Sequence, residues 1–260
     1  MKKLGFIGMG NMAQALATGF IESSSIAKAD VFAYAPHQDK LQKNAERIGF
    51  TPCAGLRELA RKCDTLVMAC KPYQIEDVIK EIYDDLKGKA LVSIAAGWDF
   101  QKYCGKVPDN TRVQFVMPNT PAMVGEGVLL FEETNSLAAE ERQAIWNLFS
   151  SVGLTVELPS SLMGIGGTVT GCGPAFVDLF LEAYADAAVK YGMKRADAYR
   201  LISQMVLGSA KLQLTTGEHP GVLKDNVCSP AGTTIRGVTK LEECGLRTAC
   251  IQSIDAIMKG

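Results

Sequence analysis

Leu4-Gly5-Phe6-Ile7-Gly8-Met9-Gly10-Asn11-Met12-Ala13 is the stretch on which the reading of this chain turns. Leu4 to Ile7 is an apolar run of strand length, and Asn11 to Glu22 reads as a helix. Between them stands Gly8-x-Gly10-x-x-Ala13, a dinucleotide-binding fingerprint in its Gly/Ala form. Gly8 permits a tight turn after the strand, Gly10 lets a pyrophosphate approach the backbone, and Ala13 is small enough for the helix to pack on the strand. The helix start offers unpaired N–H groups and the positive end of its dipole to the phosphates. A glycine-rich turn with no ligand is the competing reading; the position directly between a strand and a helix weighs against it.

Outward from that stretch the alternation continues. Strands are expected at 30–35, 64–69, 90–94, 112–116, 128–131 and 154–158, with helices at 39–48, 56–62, 73–86 and 137–152. Short connections between them imply a parallel sheet covered on both faces, an α/β fold with a Rossmann-type, doubly wound sheet. After Pro159 the strand pattern stops. Pro174 is placed to open a helix running to Tyr191, and 196–214 and 246–258 are also rich in apolar residues. Asp178, Glu182, Asp186 and Lys190 make a single polar stripe on the first of these helices. A helix apolar around most of its circumference is buried on several sides. The chain therefore divides into residues 1–159, a dinucleotide-binding domain, and residues 160–260, an all-α domain expected to bury its apolar faces against a second copy, a compact monomeric bundle being the alternative.

Composition narrows the function classes. Of 260 residues, 47% are hydrophobic and 21% charged, which excludes wholesale disorder. Lys and Arg total 27 against 28 Asp and Glu, so neither a nucleic-acid binder living on phosphate contacts nor a polybasic membrane-surface protein is expected. The eight cysteines show no Cys-x-x-Cys spacing, and with two histidines no metal site is expected. The cysteines are expected to be reduced and mostly buried, which suits the cytoplasm. Met1-Lys2-Lys3 opens faintly like a secretory signal, but Gly5, Gly8, Gly10, Asn11 and Gln14 interrupt the apolar run such a signal needs. The uncharged stretch Leu158 to Val177 holds too many glycines, prolines and hydroxyls for a membrane span.

Two regions carry the candidate chemistry. The second strand ends Tyr34-Ala35-Pro36-His37, without the carboxylate that usually accepts the ribose hydroxyl of NAD; Asp30 stands at the wrong end and Asp39 falls inside the next helix. A 2′-phosphate is not repelled there, and His37 and Lys40 can face it, so NADP(H) is expected, with NAD(H) at lower preference; the competing reading is that His37 and Lys40 are simply solvated. Cys70-Lys71-Pro72 and Ala95-Ala96-Gly97 lie at strand ends, where open α/β sheets place ligands. Lys71 reads equally as a cofactor contact or a surface charge. Asn119, in an uncharged loop with two prolines, is a loop staple or a site wall. Near the C-terminus, Ser229-Pro230 reads as the cap and first position of a helix. The first-turn N–H groups, with Thr233 and Thr234 beside them, suit a small carboxylate; an ordinary capped helix is the alternative. No Ser/His/Asp set or paired catalytic carboxylates emerges, and with a nicotinamide cofactor the protein has mainly to position and polarise.

These motifs together resemble the Δ1-pyrroline-5-carboxylate reductase family. The resemblance rests on Gly5 to Ala13, Cys70-Lys71-Pro72, Ser93 to Gly97, Met117 to Gly127, Thr170 to Phe176, and His219-Pro220-Gly221 through Ser229 to Ile235, in order along nearly the whole chain. It implies an NADPH-dependent oxidoreductase acting on a C=N bond in the last step of proline biosynthesis, and a homodimer at least, with rings of dimers in the family. It implies cofactor contacts from Ile7, Gly8, Met9, Gly10, Asn11 and Met12, from Ala35 and His37, from Ala69, Cys70, Lys71 and Pro72, and from Ile94 and Ala95. Ser229, Ala231, Gly232, Thr233 and Thr234 would hold the substrate carboxylate, Asn226 would line the same site, and Thr234 would stand beside the ring nitrogen as the catalytic residue. Cys172 and Phe176 depart from the family's usual Ser and Tyr, and Ala231 replaces a glycine. The rivals are a reductase of a related cyclic imine or ketimine carboxylate, and a nucleotide sensor without catalysis. A β-hydroxyacid dehydrogenase would place a lysine on the long helix, where Lys190 falls at the far end.

Overall fold

A computed structural model describes residues 3–259 of the chain. Met1 and Lys2, which open the stretch weighed as a signal, lie outside the described residues. Contacts group the chain into two compact units, Met1–Gly171 and Cys172–Gly260.

The first unit is built on strand alternation. In β1 (Leu4–Ile7), Leu4 and Phe6 enter one apolar layer and Ile7 the other. β2 (Val31–Tyr34), β3 (Thr51–Pro52), β4 (Thr65–Met68), β5 (Ala90–Ser93), β6 (Arg112–Met117), β7 (Gly127–Glu132) and β8 (Gly153–Leu158) complete a sheet of order β3-β2-β1-β4-β5-β6-β7-β8. The first six strands are parallel in the doubly wound order, and the order in which strands are added to the sheet switches between β1 and β4. α1 (Asn11–Glu22), α2 (Gln38–Ile48) and α6 (Ala139–Ser150) cover one face; α3 (Leu56–Lys62) and α4 (Ile75–Ile82) cover the other. Phe20, Phe131 and Phe149 meet edge to face in the first layer. Each such buried ring stabilises the fold by about 1.5–3 kcal/mol.

Three features differ from the sequence expectation. β7 runs antiparallel to β6, because the loop between Met117 and Gly127 is too short for the crossover a parallel pair requires. The two-residue β3 and the single turn α5 (Phe100–Tyr103) are too short to leave a periodic signal. The glycine-rich stretch before Pro174 is helical: α7 (Ser160–Gly167) leads into a wide π turn, Thr168–Cys172. Its glycines are there for contact, since a Cβ on Gly167 would lie 1.8 Å from Met117 Sδ, and one on Gly166 would press Leu158 and Leu130. Close packing on the sheet overrides glycine's poor helix propensity.

The second unit is all helix: α8 (Gly173–Lys190), α9 (Arg195–Thr216), α10 (Pro220–Asn226), α11 (Thr233–Glu243) and α12 (Leu246–Met258). α8 and α9 pack together. Among the described hydrophobic residues of this unit only Ala185 and Ala198 are buried, while Leu179 (66%), Leu214 (75%) and Ile251 (64%) stand open. By length and composition alone, Ser160–Lys190 would suffice to cross a bilayer.

The expectation that most cysteines are buried needs correction. All eight are free, but only Cys53 and Cys63 are buried; Cys104, Cys244 and Cys250 are exposed. The last two lie in the helical unit, which has almost no interior of its own.

Candidate functional site

The first group of candidates lies at the C-terminal ends of four adjacent strands. Gly8 N–H donates to Tyr34 O (2.8 Å), Ala69 N–H to Ile7 O (2.9 Å) and Ile94 N–H to Met68 O (3.1 Å). These bonds set the turns after β2, β1, β4 and β5 side by side. Ile7 to Met12, Ala35, His37, Ala69 to Pro72, Ile94 and Ala95 are thereby gathered along one sheet edge.

The two fingerprint glycines do different work. Gly8 has φ +96, and a Cβ there would stand 2.8 Å from Cys70 N, so the backbones after β1 and β4 touch and only glycine fits. Gly10 has an ordinary φ of −76, and a Cβ on it would meet nothing within 4 Å. Its bareness answers no need of the fold and leaves open space against the backbone. No side chain caps α1, and its first turn carries no acid. Unpaired N–H groups beside open space fit a pyrophosphate. Ala13 is buried against the sheet.

His37 is the N-cap residue of α2, exposed like Lys40, and Gln38 Nε2 closes the turn by donating to Ala35 O (2.9 Å). Asp30 ends a short turn before β2, at the other end of that strand. Cys70 is half-buried, and burial pushes its thiol up to about 11. Lys71 is exposed and leads into Pro72–Gln74, where Gln74 Oε1 accepts from Lys71 N–H (3.2 Å). After β5, Tyr103 O–H donates to Ser93 Oγ (3.1 Å) and Ser93 O–H to Trp98 O (3.0 Å), which fixes the turn carrying Ile94 to Gly97. Burial raises the Tyr103 phenol above its ordinary value. Buried Glu132 accepts from Phe100 N–H (2.9 Å) and Ser160 O–H (2.6 Å), holding α5 behind that turn.

Asn119 resolves as a staple. Its Oδ1 accepts from Val128 N–H (2.8 Å) and its Nδ2 donates to Thr170 O (3.0 Å), a carbonyl of the π turn.

The second group lies in the helical unit. The expected helix start at Ser229-Pro230 is displaced: α11 begins at Thr233 with Gly232 as its cap. Ser229 O accepts from Gly232 N–H (3.0 Å), Pro230 takes the second place of the turn, and Ala231 has φ +58, which breaks the helical path. Gly232 sits close under this turn, since a Cβ would stand 2.4 Å from Ser229 Oγ and 3.0 Å from Ser229 O. Thr233 and Thr234 open the helix with no side-chain cap, and Asn226 ends α10 nearby in sequence. His219 is a cap: its Nδ1 accepts from Gly221 N–H (3.1 Å). Among the described residues no cluster of His, Cys, Asp or Glu is assembled for a metal.

In the sequence Gln14 shows only as a polar interruption of an apolar run. It donates to Met9 O in the glycine turn and accepts from Arg47 of α2. A contact between residues so far apart in sequence leaves no periodic signal.

Residues 160–260 match a family model described as pyrroline-5-carboxylate reductase dimerisation, and residues 3–97 match one described as NADP oxidoreductase, coenzyme F420-dependent. The chain is 38% identical over 259 residues to a pyrroline-5-carboxylate reductase of Treponema pallidum, covering 98% of each. It is 38% identical to the Escherichia coli protein of that name, covering 99% of this chain and 96% of that one. The crystal structure of a Plasmodium falciparum pyrroline carboxylate reductase with NADP bound superposes with a TM-score of 0.90 at 32% identity, over 99% of this chain and 95% of that one. With a fingerprint turn bared for an anion and likeness along its whole length, the chain belongs to the pyrroline-5-carboxylate reductase family.

Proposed function

We propose that this protein reduces the cyclic imine Δ1-pyrroline-5-carboxylate to proline with NADPH. The observation that carries the reading is 38% identity over 259 residues to enzymes of that name, supported by the opening at Gly10. When bound, the reduced nicotinamide supplies the hydride. The chain's own residues bind and orient. Gly8 to Met12 form the turn that holds the pyrophosphate, with the backbone N–H groups of Gly10 and Asn11 turned to it. Ala35 and His37, with Lys40, take the adenosine end, where the absence of a carboxylate favours NADPH and leaves NADH second. Ala69 to Pro72 and Ile94-Ala95 present small groups and backbone toward the nicotinamide end.

In the helical unit the turn Ser229 to Thr234 binds the substrate carboxylate through first-turn N–H groups and hydroxyls, and Asn226 lines the same site. Thr234 orients the ring nitrogen by a hydrogen bond. A threonine hydroxyl is a poor acid, so its role is positioning, and the imine proton comes from water. The functional division falls at 159/160, where the dimerisation match begins. The exposed apolar helices of residues 160–260 are covered by a second copy in a homodimer, itself a unit for rings of dimers. Free cysteines support a cytoplasmic location.

The test is the loss of NADPH absorbance with pyrroline-5-carboxylate, and proline identified as product. NADPH consumption on a ketimine carboxylate but none on pyrroline-5-carboxylate would move the substrate to the related class.

A further inference from the structure

We propose that Gln14 is a positioning residue for cofactor binding: it locks the glycine turn so that the Gly10 and Asn11 N–H groups are held toward the pyrophosphate. The inference rests on the cofactor reading above and assigns a role to a residue outside the fingerprint.

Residue 14 grips the turn twice. Its backbone N–H donates to Gly10 O (2.9 Å), and its side-chain Nε2–H donates to Met9 O (3.0 Å). The chain has no cis peptide among the described residues, and in a trans peptide the C=O and the following N–H point opposite ways. Fixing Met9 O toward Gln14 therefore fixes the Gly10 N–H away from it, and fixing Gly10 O does the same for the Asn11 N–H. The helix bond to Gly10 O is available to any residue at position 14. The bond to Met9 O, which sets the first of the two peptide planes, requires a side chain that can donate.

Arg47 makes that side chain hold still. Its Nη2–H donates to Gln14 Oε1 (2.7 Å) from the last turn of α2. A guanidinium only donates and a backbone carbonyl only accepts. With Oε1 on Arg47 and Nε2 on Met9 O, the carboxamide has one satisfied orientation. The last turn of α2 is thereby tied to the turn at its neighbour's start.

The test uses the full-length protein and measures Kd and KM for NADPH and for NADH in wild type, Gln14→Ala, Gln14→Glu, Arg47→Met and the Gln14→Ala/Arg47→Met double variant. One neutral hydrogen bond corresponds to a loss of about five- to tenfold, so Q14A is expected to raise Kd for both dinucleotides by about that factor, with kcat held within about twofold. Q14E keeps an acceptor for Arg47 but cannot donate to Met9 O and brings a negative charge toward the pyrophosphate, so its loss is larger. R47M weakens binding less than Q14A, and the double variant is no weaker than Q14A, because Arg47 acts through Gln14. Unchanged Kd in Q14A with only a lower Tm makes Gln14 purely structural and overturns the proposal. So does a loss confined to NADPH, which would place the effect at the 2′-phosphate, or additive losses in the double variant. A wild type that binds neither dinucleotide overturns the cofactor reading itself; a wild type that binds beside an unaffected Q14A overturns only this inference.

Discussion

Gly8 and Gly10 share a motif but answer to different causes, and substitution separates them. In G8A the methyl meets Cys70 N at 2.8 Å with φ at +96, so strain of about 1–2 kcal/mol adds to a displaced β4 turn. A clear fall in Tm is expected, together with weaker NADPH binding. In G10A nothing in the chain is struck, and the fold should lose no more than about 1 kcal/mol, from the poorer N-cap. NADPH affinity should nevertheless collapse, and a G10A protein that titrates with NADPH like wild type would empty the proposed phosphate site. Thr234→Ala would remove the hydrogen bond proposed to the substrate ring nitrogen, worth about 1–3 kcal/mol, so kcat/KM should fall by about one to two decades with Tm unchanged. Cys63 offers a prediction in pH: burial lifts its thiol from 9.0 to about 12. The folded state then favours the protonated form. Its contribution is complete below the unfolded value and is lost as pH rises from 9.0 toward 12, about 1.4 kcal/mol for the first full unit. Chemical denaturation of Cys63→Ala against wild type should show a shallower alkaline decline; parallel curves would mean the thiol does not couple to folding.

Among the elements, α7 depends most on what it touches. Gly167→Ala places a methyl 1.8 Å from Met117 Sδ, and overpacking of this kind costs about 1–3 kcal/mol. Met117 is flexible, so a companion Met117→Ala should recover part of the loss; a G167A protein as stable as wild type would show that the helix stands farther from the sheet. The same element marks the limit of sequence reading. β1, α1, β2, β4 and β5 were legible because each carries its periodicity within a few residues, and the fingerprint turn was legible because its glycines sit between two such segments. α7 and the π turn were not, because glycine says nothing of helix until Leu130, Leu158 and Met117 are in place. The start of α11 failed for another reason: Ser-Pro is a good helix opening, and only the left-handed Ala231 moves it to Thr233.

On the scale of the molecule, the second unit cannot stand alone. Fixing each residue's backbone costs roughly 1–2 kcal/mol, while its described interior hydrophobics are two alanines. Burial against another copy offsets that cost, in keeping with the family's dimerisation region at 160–260. Sedimentation at micromolar concentration should give at least twice the single-chain mass of 27.9 kDa. Leu179→Glu, on an exposed apolar face of α8, should lower mass and Tm together. A monomer of full thermal stability would remove the argument.

By itself the sequence determined the alternating half, the phosphate turn, the end of the strands at Pro159 and the apolar excess of the helices. Each of these is written in spacing along a few residues. Tertiary structure alone decided that Gly167 is a contact, that Asn119 is a staple, and that Gln14 joins Met9 to Arg47. Those facts belong to pairs of atoms brought together across long stretches of chain, and a one-dimensional pattern records no such meeting.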